Sequence, residues 1–158
     1  MIGYHYTPLE KWDVIQREGL HLAPVRQHEL DRFRRSLPAL PDEAIWVWRE
    51  PLTDEQAFIT ALNLASMHGS YEIALLRVQY DSWAAASHAC KEHPDDTVKL
   101  RCNFGAGSLV TPMLPIELIL ADVPANRVEK IWQCNLLDAM KGRHTAEECA
   151  DEFSALAE

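Results

Sequence analysis

Segments with strand character and segments with helix character follow one another in this chain without strict alternation, and that order limits the fold more than any one motif does. A parallel α/β sheet needs a crossover helix between successive strands, whereas an irregular mixture indicates an α+β domain. Residues 2–6, Ile-Gly-Tyr-His-Tyr, read as a short strand. Thr7-Pro8-Leu9-Glu10 then reads as a helix start, with Thr7 as cap, Pro8 in the first helical position and Glu10 completing a capping box. Gly19 is placed to end that helix in the left-handed conformation. Residues 26–36 read as a polar helix stopped by Pro38 and Pro41, and Ala44-Ile45-Trp46-Val47-Trp48 as a strand rich in aromatic and β-branched residues.

A second capping box, Thr53-Asp54-Glu55-Gln56, precedes an amphipathic run through Phe58, Ile59, Leu62 and Ala65 that Gly69 closes. Tyr71 to Tyr80 is the longest strand candidate. Beyond it the expected elements are a short helix at 82–90, a turn at 93–96, a strand at 97–104 and a loop from Asn103 to Ser108. A strand follows at Ile116–Ala121, then a turn from Pro124, a strand near Ile131–Leu136, and a last helix at 145–156 capped by Thr145. That helix presents Cys149, Phe153 and Leu156 as its apolar side. A length of 158 residues fits one domain spanning 1–158, with residues 137–158 read as a C-terminal helical extension.

Bulk properties exclude several classes. No apolar run approaches the ~18–20 residues needed to cross a bilayer, and no basic-then-apolar leader opens the chain, so a cytoplasmic protein is expected. The net charge of −9 argues against non-specific nucleic-acid binding. Arg26, Arg32, Arg34 and Arg35 cluster in a segment that also carries Glu29 and Asp31, and read as a solvated helix face. The four cysteines, Cys90, Cys102, Cys134 and Cys149, form no Cys-x-x-Cys pair and are expected to be reduced thiols. His88, Cys90, His93 and Cys102 lack the spacing of the common zinc motifs, so no metal is expected. His21, His28, His68 and His144 read as surface residues. No nucleophile elbow, Walker loop, dinucleotide fingerprint or metalloprotease motif occurs.

Three separated segments stand out. The first is His5-Tyr6-Thr7, followed by a helix that ends in Gly19-Leu20. The second is the aromatic strand Ile45-Trp46-Val47-Trp48. The third is Ile116-Glu117-Leu118-Ile119-Leu120, running into Val123-Pro124-Ala125-Asn126-Arg127-Val128. Glu117 is the most telling residue, because a carboxylate inside an apolar strand must be paired, placed at an exposed edge, or functional. Thr7 is accounted for by capping alone. His5 is either a hydrogen-bonded core histidine or a ligand contact. Trp46 and Trp48 share one strand face, so with Ile45 and Val47 turned to the core they line the other side.

Order and spacing over residues 2–131 resemble the ADP-ribosyltransferase superfamily, and within it the DarT-like branch and other small His-x-Thr members. The resemblance implies two small packed sheets, antiparallel or mixed, with flanking helices. It implies NAD as substrate, bound by His5, Tyr6 and Thr7, with Trp46 or Trp48 against the nicotinamide. It implies that Glu117 is catalytic, binding the nicotinamide-ribose hydroxyl and either stabilising the oxocarbenium-like transition state or orienting the incoming nucleophile. Arg26 and Arg49 are the candidates for the family's phosphate-contacting arginine. The chain departs from the pattern at Lys11-Trp12, where Asn-Leu is usual, and at the middle-strand Trp, where Tyr is commoner. The expected function is therefore NAD-dependent ADP-ribosylation of a protein or nucleic-acid acceptor by a toxin, effector or defence-related protein. One alternative is a degenerate binding or inhibitor module of the same fold acting through its acidic surface. Another is an RNA 2′-phosphotransferase, whose basic cleft the net charge argues against.

Overall fold

In the computed structural model of the protein, the described residues are 1–24, 41–52, 54–86, 99–104, 107–112 and 116–156. The expected polar helix at 26–36 and turn at 93–96 lie outside them. The chain is α+β, as its irregular element order implies. Its strands are β1 (Ile2–Pro8), β2 (Ala23–Pro24), β3 (Glu43–Trp48), β4 (Glu72–Gln79), β5 (Ala85–Ala86), β6 (Lys99–Phe104), β7 (Gly107–Pro112), β8 (Ile116–Ile119) and β9 (Val128–Asn135). Its α-helices are α1 (Trp12–Glu18), α2 (Asp54–His68), α3 (Leu136–Met140) and α4 (Ala146–Ala155).

The described strands form an antiparallel sheet in the order β5-β8-β3-β1-β4-β9, with β2 also on β3, and a separate β6–β7 hairpin. β1 runs in register with β4 from Ile2↔Gln79 to Pro8↔Ile73, but meets β3 in register only at Tyr4↔Trp48. That narrow seam joins two halves into one surface.

Each face of the sheet carries its own core. On one face Tyr6, Ile73, Leu75 and Cys134 pack with residues of α2, α3 and α4. On the other, Ile45, Val47, Ala74, Leu76, Val78, Tyr80 and Ile119 pack with Ile15 of α1 and with Leu20 and Val123. Because β4 is covered on both sides it reads as the nearly unbroken apolar run Ile73-Ala74-Leu75-Leu76. A register shift at Leu75/Leu76 passes over Ile131 and moves the inward side of β9 from one face to the other. Trp132 and Cys134 thus serve the helical core, and Val128 the opposite one.

Several sequence expectations change. Thr7 is the penultimate residue of β1 and does not cap a helix; a single 3₁₀ turn, Leu9–Lys11, follows without a side-chain cap. Pairing with β4 carries β1 through Pro8, which outweighs the local capping pattern. Ser82–Ala84 is a 3₁₀ turn and Ala85–Ala86 joins the sheet beside β8, so the helix expected at 82–90 is not α-helical over 82–86, and its remainder lies outside the described residues. Asn103 and Ser108 are paired hairpin residues and not loop. The C-terminal helices pack on the sheet, and Leu136, Ala139, Ala146, Cys149, Ala150 and Phe153 belong to the helical core. Thr145 does cap α4, with Glu148 closing a capping box, while Leu156 falls past the helix end and is exposed.

Candidate active site

The face carrying α1 gathers most of the candidate chemistry. Glu117 lies opposite Val47 in the β3–β8 ladder and is fully buried. An ionised carboxylate in such a place must find partners. Arg49 donates from Nη2 to its Oε1 at 2.9 Å, and the Tyr80 hydroxyl donates to its Oε2. The Arg49 side chain is 40% exposed, so Glu117 meets solvent only through its cation. Tyr80 comes from the end of β4, three strands away from β8. Its ring reaches Glu117 across Gly3, where a Cβ would stand 2.7 Å from Val47 Cγ2 and 3.2 Å from Tyr80 Cε1. The absence of a side chain at Gly3 is what lets the phenol cross the sheet. Burial, and then the hydrogen bond to Glu117, push the Tyr80 hydroxyl well above its ordinary range, so it stays a proton donor.

His5 stands on the same face of β1, one residue from the Tyr4↔Trp48 seam. Its Nδ1 bonds the Trp46 carbonyl oxygen at 2.7 Å. A carbonyl only accepts, so Nδ1 carries the proton and Nε2 keeps its lone pair. Burial lowers the His5 pKa from its ordinary 6.5, opposed by the Trp46 bond and helped by Lys11. The neutral ring is thus a fixed hydrogen-bond acceptor at Nε2. Between the lowered folded value and 6.5 the unfolded chain binds the extra proton, so the contribution is intact above about 6.5 and is lost as pH falls below it. The melting temperature of the wild type, minus that of His5→Gln, is expected to shrink between pH 7.5 and pH 5. A difference that stays constant or grows would contradict a buried neutral imidazole.

The other candidates are divided by strand alternation. Thr7 is buried on the His5 side of β1, beside Ala74. Tyr6 points the other way, into the helical core, edge-on to Trp48 at 5.6 Å and to Trp132 at 6.4 Å. Trp46, opposite Leu118, shares that side with Trp48. The tryptophans do turn away from Ile45 and Val47 as expected, but Glu117 is on the Ile45 and Val47 side. The sheet therefore separates the aromatic pair from the carboxylate. Arg49, expected at a phosphate, is seated on Glu117. Arg26, His88, Cys90 and His93 lie outside the described residues, and so does the side chain of Cys102. Among the described residues no group of three or more His, Cys, Asp or Glu side chains could hold a metal ion.

Tyr80 was legible in the sequence only as the end of a strand, since nothing in its neighbours separates a carboxylate partner from a packing residue. It also walls a cleft of ≈ 250 Å³, together with Asp81, Trp83, Asp122 and Arg127. Arg127 donates to Asp81 at 2.8 Å there. Asp122 accepts from the Leu22 N–H at 2.8 Å and lies 3.0 Å from His21 Nδ1. No family model matches the chain, and neither a curated protein nor a solved structure matches it significantly.

Proposed function

We propose that the chain is an ADP-ribosyltransferase of the small His-x-Thr type, with NAD as its substrate and Glu117 as its catalytic residue. The observation that carries this reading is the Glu117 carboxylate, buried and oriented by Arg49 and Tyr80, on the sheet face that also bears His5. A buried ion pair is a weak device for stability, because well-packed apolar side chains often do as well. Its place inside an apolar strand therefore favours a chemical role.

In this reading the C1′–N bond of the nicotinamide ribose breaks, and the electron pair leaves with nicotinamide. The sugar becomes an oxocarbenium-like cation. A nucleophile of a macromolecular acceptor, protein or nucleic acid, then bonds C1′ and passes its proton to water. Glu117 stabilises the cationic sugar more than the ground state, and a water-poor setting strengthens that effect. Tyr80 is a positioning residue that holds the carboxylate. Arg49 uncovers it by turning to the NAD diphosphate, and His5 Nε2 accepts a hydrogen bond from a ribose hydroxyl. Tyr6, Trp46 and Trp48 support the sheet from its far side.

The test uses the purified chain with NAD labelled in the nicotinamide ring, and a second sample labelled in the adenylate to follow transfer. Glu117→Gln is expected to lower nicotinamide release by about 10²-fold or more, the scale of losing one preorganised electrostatic contact. A wild type that releases nothing, or a variant equal to it, removes the catalytic assignment.

The closure of the same site favours a second reading, a module that binds NAD without turning it over. Glu117 has no exposed surface, and both its oxygens are engaged from within the chain. Thermal stabilisation by NAD without nicotinamide release supports the module, since a ligand at about 100 times its Kd adds about 2.7 kcal/mol to native stability. Neither stabilisation nor release sinks both readings. No helix among the described residues is long and apolar enough to cross a membrane.

A further inference from the structure

The cleft beside Tyr80 carries a chemistry that NAD turnover leaves unused. Trp83, on its wall, is 77% exposed, the most of any large hydrophobic side chain among the described residues. The backbone fixes it there. Ala84 N–H bonds the Asp81 carbonyl at 3.0 Å, and the Ala84 carbonyl receives the Leu120 N–H at 2.7 Å. Ala84 is itself buried, so the 3₁₀ turn is anchored on both sides of an indole held out beside the opening.

Charge selects the guest. Asp81 and Asp122 line the cleft against one guanidinium, Arg127, which is already spent on Asp81. Hydrogen bonding to His21 and to the Leu22 N–H holds the Asp122 carboxyl below its ordinary pKa. A phosphate entering this cleft meets two carboxylates and an engaged cation. A guanidinium or ammonium meets Asp122, the Arg127-paired Asp81 and an exposed indole, a combination suited to cations. The Arg127–Asp81 pair is a guanidinium already seated in the cleft. Each carboxylate oxygen accepts more than one hydrogen bond, so Asp122 can serve the Leu22 N–H, His21 and a guest together. The net charge of −9 draws basic partners toward the chain from a distance.

We propose that this cleft docks an arginine or lysine side chain from a basic segment of a partner protein, with Trp83 against the cation and Asp122 and Asp81 receiving its N–H groups. The bound segment lies beside Tyr80, whose hydroxyl bonds Glu117. Docking needs no NAD and is measured without it, so its failure is distinct from failure of the transferase reading.

The probe is a fluorescein-labelled peptide of three Gly-Arg repeats, read by fluorescence anisotropy at near-physiological salt. Trp83→Ala and Asp122→Asn are each expected to weaken binding tenfold or more. Glu147→Gln, an equally charge-reducing change on the exposed side of α4, is expected to alter it less than twofold. Trp83 is largely exposed, and Asp122→Asn keeps the acceptor for Leu22, so both variants should fold, which circular dichroism checks. Equal weakening in all three variants means general charge attraction and overturns the proposal. So does a wild type that does not bind the peptide. So does Trp83-dependent binding of a ten-nucleotide single-stranded DNA in place of the peptide.

Discussion

Replacing Glu117 by alanine is expected to destabilise the fold by about 2–4 kcal/mol, somewhat under the usual cost of removing one partner of a buried ion pair. The discount comes from the partners. Arg49 is 40% exposed and can turn its guanidinium to water once the carboxylate is gone. Tyr80 cannot do the same, because its residue is only 3% exposed and its ring is wedged over Gly3. Its hydroxyl is left without an acceptor, and an unpaired buried polar group costs about 1–3 kcal/mol. The missing side-chain volume adds a cavity among close-packed neighbours. Glu117→Gln should behave differently. It keeps the volume, its carbonyl can accept from Arg49, and its amide can donate to the Tyr80 oxygen, so a loss nearer 1 kcal/mol is expected. Urea unfolding followed by two probes measures both. If the alanine variant unfolds within 0.5 kcal/mol of the wild type, the carboxylate is not held as described. The contrast also separates folding from chemistry, because the glutamine variant tests turnover in a chain that still folds.

How far the sequence disclosed this site depended on whether the cause was local. Glu117 was legible because a carboxylate between Ile116 and Leu118 breaks a local rule, and the structure supplies the pairing that rule demands. The two faces of β3 were legible from alternation alone, and Ile45 and Val47 are buried as expected. What alternation could not show is which face β8 would share. The register Val47↔Glu117 decides that, and register is set by contacts far apart in sequence. The same limit hid Tyr80, whose bond to Glu117 spans 37 residues and passes over a third strand at Gly3. Thr7 misled for the opposite reason. Its capping pattern is locally sound, but seven registered pairs with β4 hold it in a strand. The helix at α4 has no such competitor, and there the Thr145–Glu148 capping box forms as written.

Gly19→Ala is expected to cost about 3–5 kcal/mol, the sum of backbone strain and steric overlap at one position. The expectation from sequence was an ordinary left-handed cap. The observed backbone is φ 90°, ψ −168°, a region essentially restricted to glycine. The residue still closes α1 through its N–H to the Ile15 carbonyl at 2.8 Å. Its extended ψ then sends the chain to Leu20, which exchanges two backbone hydrogen bonds of 2.8 Å with Val123. That bridge ties the end of α1 to the segment following β8, which also carries Asp122. A Cβ at Gly19 would lie 2.1 Å from the Val123 carbonyl oxygen and 2.9 Å from the Ala125 nitrogen. Both are backbone atoms, so no side chain can move aside; the bridge itself must open. Gly69 is the control. It too has positive φ, 71°, but nothing lies within 4 Å of its Cβ position. Gly69→Ala should therefore incur only the left-handed penalty, about 1–2 kcal/mol. For a domain of this size each kcal/mol lowers Tm by about 2–4 °C, so the two variants should melt several degrees apart. Equal melting temperatures would mean that the contact between Gly19 and the Val123–Ala125 backbone is not part of the native structure. The expected gap, accompanied by loss of peptide docking in Gly19→Ala alone, would show that the turn after α1 holds the Asp122 wall of the cleft in place.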